Sequence, residues 1–248
     1  MINRNIIENA KKATDAWGRL DKKDQGNLKK YFHLRPTQSG ISVISTLSFL
    51  PMRGLVVPPN KLSVSLDYLK DNYKTITQVD EKKARDFLTD INKKFWFKSR
   101  SGISILEENI QSIMINTMSE DSNLSLSLNL SNPIQFIASE LRFQQGQYRV
   151  DIVGYDKDDL YLFELKRNRT TKVIQLNNYV NYYIKYRTFL EDLLQNYPIN
   201  PVRKFNNIYG CMVMKYCEEK NQRDKLKNEA SANKLKLLFY NSSIRYHK

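Results

Sequence analysis

The stretch 148–183, YRVDIVGYDKDDLYLFELKRNRTTKVIQLNNYVNYY, constrains the fold more than any other part of the chain. Two apolar runs, 149–155 and 160–166, flank the acidic turn Asp156-Lys157-Asp158-Asp159. Apolar runs either side of a turn-forming tetrapeptide read as a β-hairpin with a four-residue loop. Pairing Tyr155 with Leu160 would place Asp151 directly opposite Glu164. Residues so opposed have Cβ atoms about 5 Å apart, and two carboxylates there repel unless something neutralises them. A divalent cation would do so. Side chains alternate along a strand, so Lys166 faces the same way as both acids.

Around these charges, Ile152, Val153, Leu160, Leu162, Phe163 and Leu165 are apolar on both faces, as in strands covered by helices on each side. The bland alternative is a hairpin edge carrying a surface Asp-Lys-Glu ion-pair network, since this spacing is common by itself.

The flanking sequence bears on that choice. Asp151, then Glu164-Leu165-Lys166, then the helix-opening QLNNY from Gln175 to Tyr179 resemble the PD-(D/E)XK nuclease superfamily. The form RVDIVGYD, ELKR, QLNNY is most similar to its RecB-like and NucS-like branch. Val150 stands where that pattern has proline, a departure that diverged members share. The resemblance spans residues 103–240 and says nothing of the first hundred.

What the resemblance implies is a metal-dependent nuclease. Asp151, Glu164 and the backbone carbonyl of Leu165 would hold Mg²⁺, with Mn²⁺ able to substitute, because the donors are hard oxygens. Lys166 would orient the attacking water and stabilise charge on the phosphate. Glu107 matches the acid that the family contributes from the helix preceding its sheet. Glu108 is the adjacent alternative, and either can equally be a solvated first-turn glutamate. Gln175 and Tyr179, four apart on one helix face, would reach the phosphate or water beside Lys166. Arg149, Arg167 and Arg169 are candidate phosphate clamps, since the guanidinium fork suits phosphate oxygens.

Charge agrees with such a partner. The 248 residues carry 40 Lys plus Arg against 26 Asp plus Glu, a formal +14. Residues 1–100 hold 20 basic and 10 acidic side chains, 101–160 hold 3 and 9, and 161–248 hold 17 and 7. An acidic island between basic blocks suits a metal site set in a phosphate-attracting surface. Nucleic acid, DNA in the first place, is the expected partner, and a homodimer is compatible. Cys211 and Cys217 are the only cysteines, and no Cys/His cluster or secretory signal stands out, so a reduced, cytoplasmic protein without zinc is expected. The apolar stretch 40–59 is interrupted by Pro51, Arg53 and Gly54, short of the ~20 apolar residues a spanning helix needs.

Taken in order, 5–18 and 24–33 read as helices and 41–50 as a strand within a Pro/Gly-punctuated section. Residues 62–73 and 79–97 again read as helices. A mainly helical region 1–98, serving DNA binding or assembly, would precede a nuclease domain 99–248. Phe95, Trp96 and Phe97 are either DNA-contacting or core. Leu106, Ile110, Ile113, Met114 and Met118 mark a helix packed on the sheet. Residues 134–143 form a strand whose Glu140 is either a further acid or solvent-facing. A long helix 170–196, a strand 207–215, a helix 218–232 and a strand 235–240 complete the chain. Tyr182, Tyr183 and Tyr186 offer a stacking platform or core packing.

The expected fold is α/β, a mixed central sheet flanked by helices in a restriction-endonuclease-like core. The expected function is an Mg²⁺-dependent endonuclease acting in restriction, repair or antiviral defence. Two other readings stay open: a non-cleaving nucleic-acid-binding module on the same fold, and a regulatory or assembly protein whose basic surface is incidental.

Overall fold

The computed structural model describes residues 4–46, 51–57, 59–97, 107–118, 128, 130, 132–142, 148–166, 173–240 and 246–247. Within these, the side chains of 51–59, 83–97 and 107–109, among others, lie outside the description.

The fold is mixed α/β. The predicted hairpin forms as β5 (Val150–Tyr155) and β6 (Leu160–Lys166), in the register Tyr155 with Leu160 through Ile152 with Phe163. Strand β4 (Gln135–Leu141) adds antiparallel to β5 with a bulge between Phe136 and Ala138. Strand β7 (Ile208–Lys215) then adds parallel to β6, and β8 (Lys236–Tyr240) parallel to β7. The two-residue β9 (Tyr246–His247) closes a six-stranded mixed sheet in the order β4-β5-β6-β7-β8-β9.

A parallel step from β6 to β7 requires a helical crossover. It is made by α5 (Val173–Lys185) and α6 (Arg187–Gln195). The expected single helix 170–196 is broken at Tyr186, whose φ of −106° and ψ of 29° leave the helical region. Close packing of α5 on β7 depends on Gly210, where a Cβ would meet Leu235 Cδ2 at 2.5 Å and Val180 Cγ2 at 2.8 Å. The helix α7 (Lys220–Ala232) connects β7 to β8.

Both faces of the hairpin are covered. On one face Val153, Leu160, Leu162, Met212 and Met214 join Leu176, Val180 and Tyr183 of α5 and Leu190, Leu193 and Leu194 of α6 in one core. On the other, Ile152, Tyr161, Phe163, Leu165 and Val213 meet Ile110, Met114 and Ile115 of α4 (Glu107–Thr117) and Met118 just after it. Strands buried this way are apolar at successive positions, which is why the hairpin sequence lacks simple alternation.

The region before residue 98 departs from expectation. Helix α1 (Asn5–Gly18) forms as read, but α2 (Lys22–Lys29) ends early. Phe32 and His33, placed by sequence at a helix end, instead lie in β1 (Phe32–Pro36). This strand pairs with β2 (Ile41–Ser45), and β2 with β3 (Pro51–Val57), making a three-stranded antiparallel sheet beside the helices. The two helices read after it are one, α3 (Leu62–Phe97). Tertiary packing overrides local propensity here, since Phe32, Leu34, Ile41 and Val43 are buried against Trp17, Leu28, Leu62, Leu66 and Leu69. Phe95, Trp96 and Phe97 have side chains outside the described set.

Helix α1 belongs to two cores at once. Its first turns put Ile6, Ile7 and Ala10 into the core under α5 and α6, while Ala13, Ala16 and Trp17 enter the N-terminal core. Polar ties run across the same junction. Thr14 Oγ1 donates to the Asn196 carbonyl at 2.7 Å, Asn116 Nδ2 donates to the Thr46 carbonyl at 2.7 Å, and His33 Nε2 lies 2.8 Å from Ser139 Oγ. Among the described residues no helix is long and apolar enough to cross a membrane. Cys211 and Cys217 are buried free thiols.

Candidate active site

The hairpin register fixes the site. One step beyond the last recorded pair, Ile152 with Phe163, stand Asp151 and Glu164, the opposition expected from the turn. There Asp151 Oδ2 accepts a hydrogen bond from the Leu165 backbone N–H at 2.7 Å. Lys166 Nζ donates to Glu164 Oε1 at 2.6 Å. The side chains of Lys166 and Glu164 are only 22% and 8% exposed, so this is no surface ion pair.

Electrostatics single out Asp151. Burial, then the charge of Glu164, push its carboxyl from 3.8 up to about 8, with Glu140 adding to the rise. The Leu165 N–H and the Lys166 ammonium pull the other way without restoring the ordinary value. Two carboxylates enclosed together cannot both ionise cheaply unless a cation joins them.

Several other predicted residues occupy definite places. Gln175 and Tyr179 share a face of α5, and Gln175 Nε2 donates to Tyr179 Oη at 2.5 Å. Tyr183, on the same helix, is fully buried, and burial above all raises its hydroxyl, with the charge of Glu164 a lesser cause. Tyr183 donates to the carbonyls of Leu141 and Tyr148 at 2.7 and 3.0 Å, tying the end of β4 to the approach to β5. Its ring is core, whereas Tyr148 and Tyr182 stack at 4.2 Å with Tyr179 and Tyr186 at their edges.

One expectation changes. Glu140 is not solvent-facing: its side chain is 16% exposed and pairs with Arg149, the candidate phosphate clamp, at 2.8 Å. Glu140 has φ of 52°, in the left-handed region that a non-glycine residue enters at a cost of order 1–3 kcal/mol. The β4–β5 register sets it across from Asp151.

Glu107 and Glu108 open α4, as expected, but their side chains, like Arg167 and Arg169, lie outside the described residues. The helix does reach the site through a residue the sequence reading passed over. Gln111, one turn on from Glu107, donates through Nε2 to the Asp151 carbonyl at 2.6 Å and to Glu140 Oε1 at 3.3 Å. The signal was its spacing, since i and i+4 share a helix face.

Among the described residues no three His, Cys, Asp or Glu side chains gather closely enough to hold a metal ion. Asp151 and Glu164 nonetheless suit Mg²⁺, which is commonly held by one or two carboxylates while keeping several waters. Two acids brought together across the hairpin, the carboxyl of one pushed up by burial and by the charge of the other, are an arrangement that a cation fits. Compared with known protein families, curated proteins and solved structures, the chain has no match.

Proposed function

We propose that the chain is a metal-dependent nuclease of PD-(D/E)XK type, built on a restriction-endonuclease-like core and hydrolysing phosphodiester bonds, DNA in the first place. The observation that carries this reading is the convergence of Asp151, Glu164 and Lys166 at the open end of a hairpin buried on both faces. Charged groups have no packing role there, and they are the residue types that this hydrolysis needs.

A divalent cation at this place, Mg²⁺ or Mn²⁺, supplies Lewis acidity and a bound water of lowered pKa. Asp151 and Glu164 would hold it, with the Leu165 carbonyl and Glu107 as further donors. The Leu165 N–H fixes the Asp151 carboxyl, which must release its proton to act as a ligand. Lys166, drawn to Glu164 now, would stabilise charge on the phosphate. Gln175 would hold the water or a phosphate oxygen.

The second reading, a nucleic-acid-binding module without cleavage, is favoured by the Lys166–Glu164 contact and by the finding that, among the described residues, no three acids stand close enough to share a metal ion. One experiment separates the two. The full chain is incubated with single-stranded, duplex, flapped and mismatched DNA and Mg²⁺, and the ends are sequenced. Product that depends on Mg²⁺ and disappears in Asp151→Ala and Glu164→Ala is the expected result. Retention of cleavage by either variant overturns the site; binding without any cleavage leaves the second reading.

A further inference from the structure

Beside the carboxylates lies a cavity of about 430 Å³, between the β1–β2 turn and the open end of the β4–β5 pair. Arg35, Thr37 and Ser39 line it from the N-terminal sheet, and Glu140, Arg142 and Arg149 from the central one. Three guanidiniums thus face one cavity from segments distant in sequence. The one carboxylate there, Glu140, is taken up by Arg149 and Gln111.

Arg142 and Arg149 alone would be ordinary solvated surface, since both are exposed. Arg35 is not. It is half-buried, and among the described residues its guanidinium makes no hydrogen bond or ion-pair contact. Burial, aided by the charges of Arg142 and Arg149, lowers its pKa, while Glu140 attracts it without contact. Neighbouring His33 is held neutral, pushed down to about 3 by burial and by Arg35. A guanidinium taken from water needs a partner, and the fork geometry of arginine matches a tetrahedral oxyanion. The lining leaves a formal excess of two positive charges. A phosphate monoester carries roughly −1.5 to −2 at pH 7, whereas an internal phosphodiester carries one charge.

We infer that this cavity binds a phosphate monoester, the group borne by a phosphorylated strand end or by a free nucleotide. Since Glu140 stands across the ladder from Asp151, a strand end anchored there would lie beside the candidate catalytic carboxylates. That substrate role rests on the nuclease reading; the ligand chemistry does not.

The test uses the full chain in EDTA, where no cleavage occurs. Fluorescence anisotropy compares oligonucleotides carrying a 5′-phosphate, a 3′-phosphate or hydroxyls at both ends, and thermal melting compares AMP and inorganic phosphate with buffer. One phosphorylated end is expected to bind about tenfold tighter than hydroxyl ends, the worth of one or two charge-assisted hydrogen bonds. Arg35→Gln should erase that preference. Arg142→Gln, at an exposed position, should weaken it and guards against a folding defect in the first variant. If AMP raises the melting temperature, in a manner lost in Arg142→Gln, and strand ends are not distinguished, the monoester is a free nucleotide. Equal binding of all ends with no shift by AMP overturns the inference, as does a preference that survives both arginine substitutions. Asp151→Asn should keep the end preference while losing cleavage, so a failure of the nuclease reading is told apart from a failure of this one.

Discussion

The β5–β6 hairpin carries acidic side chains at both ends and uses them in opposite ways. At the turn, Asp156 Oδ1 accepts the backbone N–H groups of Asp158 and Asp159 at 3.1 and 2.8 Å, and its Oδ2 accepts the Tyr161 hydroxyl at 3.0 Å. Asp159 Oδ1 accepts both the backbone N–H and the side-chain amide of Asn207 at 2.9 Å, gripping the entry to β7. At the open end, Asp151 has one backbone donor and faces two acids, and its carboxyl rises to about 8. Acids ringed by donors hold a fold together. Acids placed among acids store unfavourable electrostatic energy that a cation can release, and such places are where chemistry is to be sought.

The largest expected effect sharpens this contrast in activity. Asp151→Asn or Glu164→Gln should lower Mg²⁺-dependent cleavage by roughly 10³-fold or more, the scale on which loss of several kcal/mol of metal-borne stabilisation appears. Asp158→Asn, at the turn, should stay within a few-fold of the parent rate. Comparable losses in both would erase the distinction between the two ends.

Stability should show the reverse order. Asp156→Ala removes a buried acceptor of three hydrogen bonds, and denaturant unfolding should register a loss of about 3 kcal/mol. Asp151→Asn should not destabilise the metal-free protein and should raise its melting temperature near pH 7, because the carboxyl must take up a proton on folding there and the amide need not.

The pH dependence follows from the same group. Above its ordinary 3.8 the unfolded carboxyl is ionised, while the folded one keeps its proton up to about 8. Folding therefore takes up a proton across this window, and stability is fullest at its acid end and falls as pH rises through it. The metal-free melting temperature should drop between pH 5 and 8, on the order of 5 °C for a chain of this size. Asp151→Asn should flatten that slope, and so should added Mg²⁺. A slope unchanged by the substitution would place its origin elsewhere.

The smallest effect concerns the tether over the site. Tyr183→Phe removes the hydroxyl that joins β4 to the approach to β5 and should cost about 1–2 kcal/mol in stability. Cleavage should change less than stability does.

Much of this was legible beforehand. The turn Asp156-Lys157-Asp158-Asp159 sets the pairing of Tyr155 with Leu160, and that pairing carries Asp151 to Glu164 by counting alone. The central strands and the order of helices around them also follow from apolar runs and breakers. What escaped depends on contacts between distant segments. Phe32–Pro36 follows a lysine-rich helix and shows its strand character only in pairing with Ile41–Ser45. The inward turn of Glu140 comes with a left-handed backbone that no local residue type announces. Arg35 gains meaning only where the N-terminal sheet meets β4 and β5, and Gln111 only once α4 is seated on the sheet.

The double membership of α1 governs how the molecule can be assembled. Its Ile6, Ile7 and Ala10 are covered by α5 and α6 in a core that extends to Phe239 of β8. During synthesis this helix emerges long before the strands that complete its shelter, so its apolar stripe must wait exposed while most of the chain is made. Such distant closure slows folding and lengthens the interval in which nascent chains can stick to one another. Removing the first hundred residues does not simply detach an appendage. It uncovers the core beneath the candidate active site, so a shortened chain reports on folding before it reports on substrate binding.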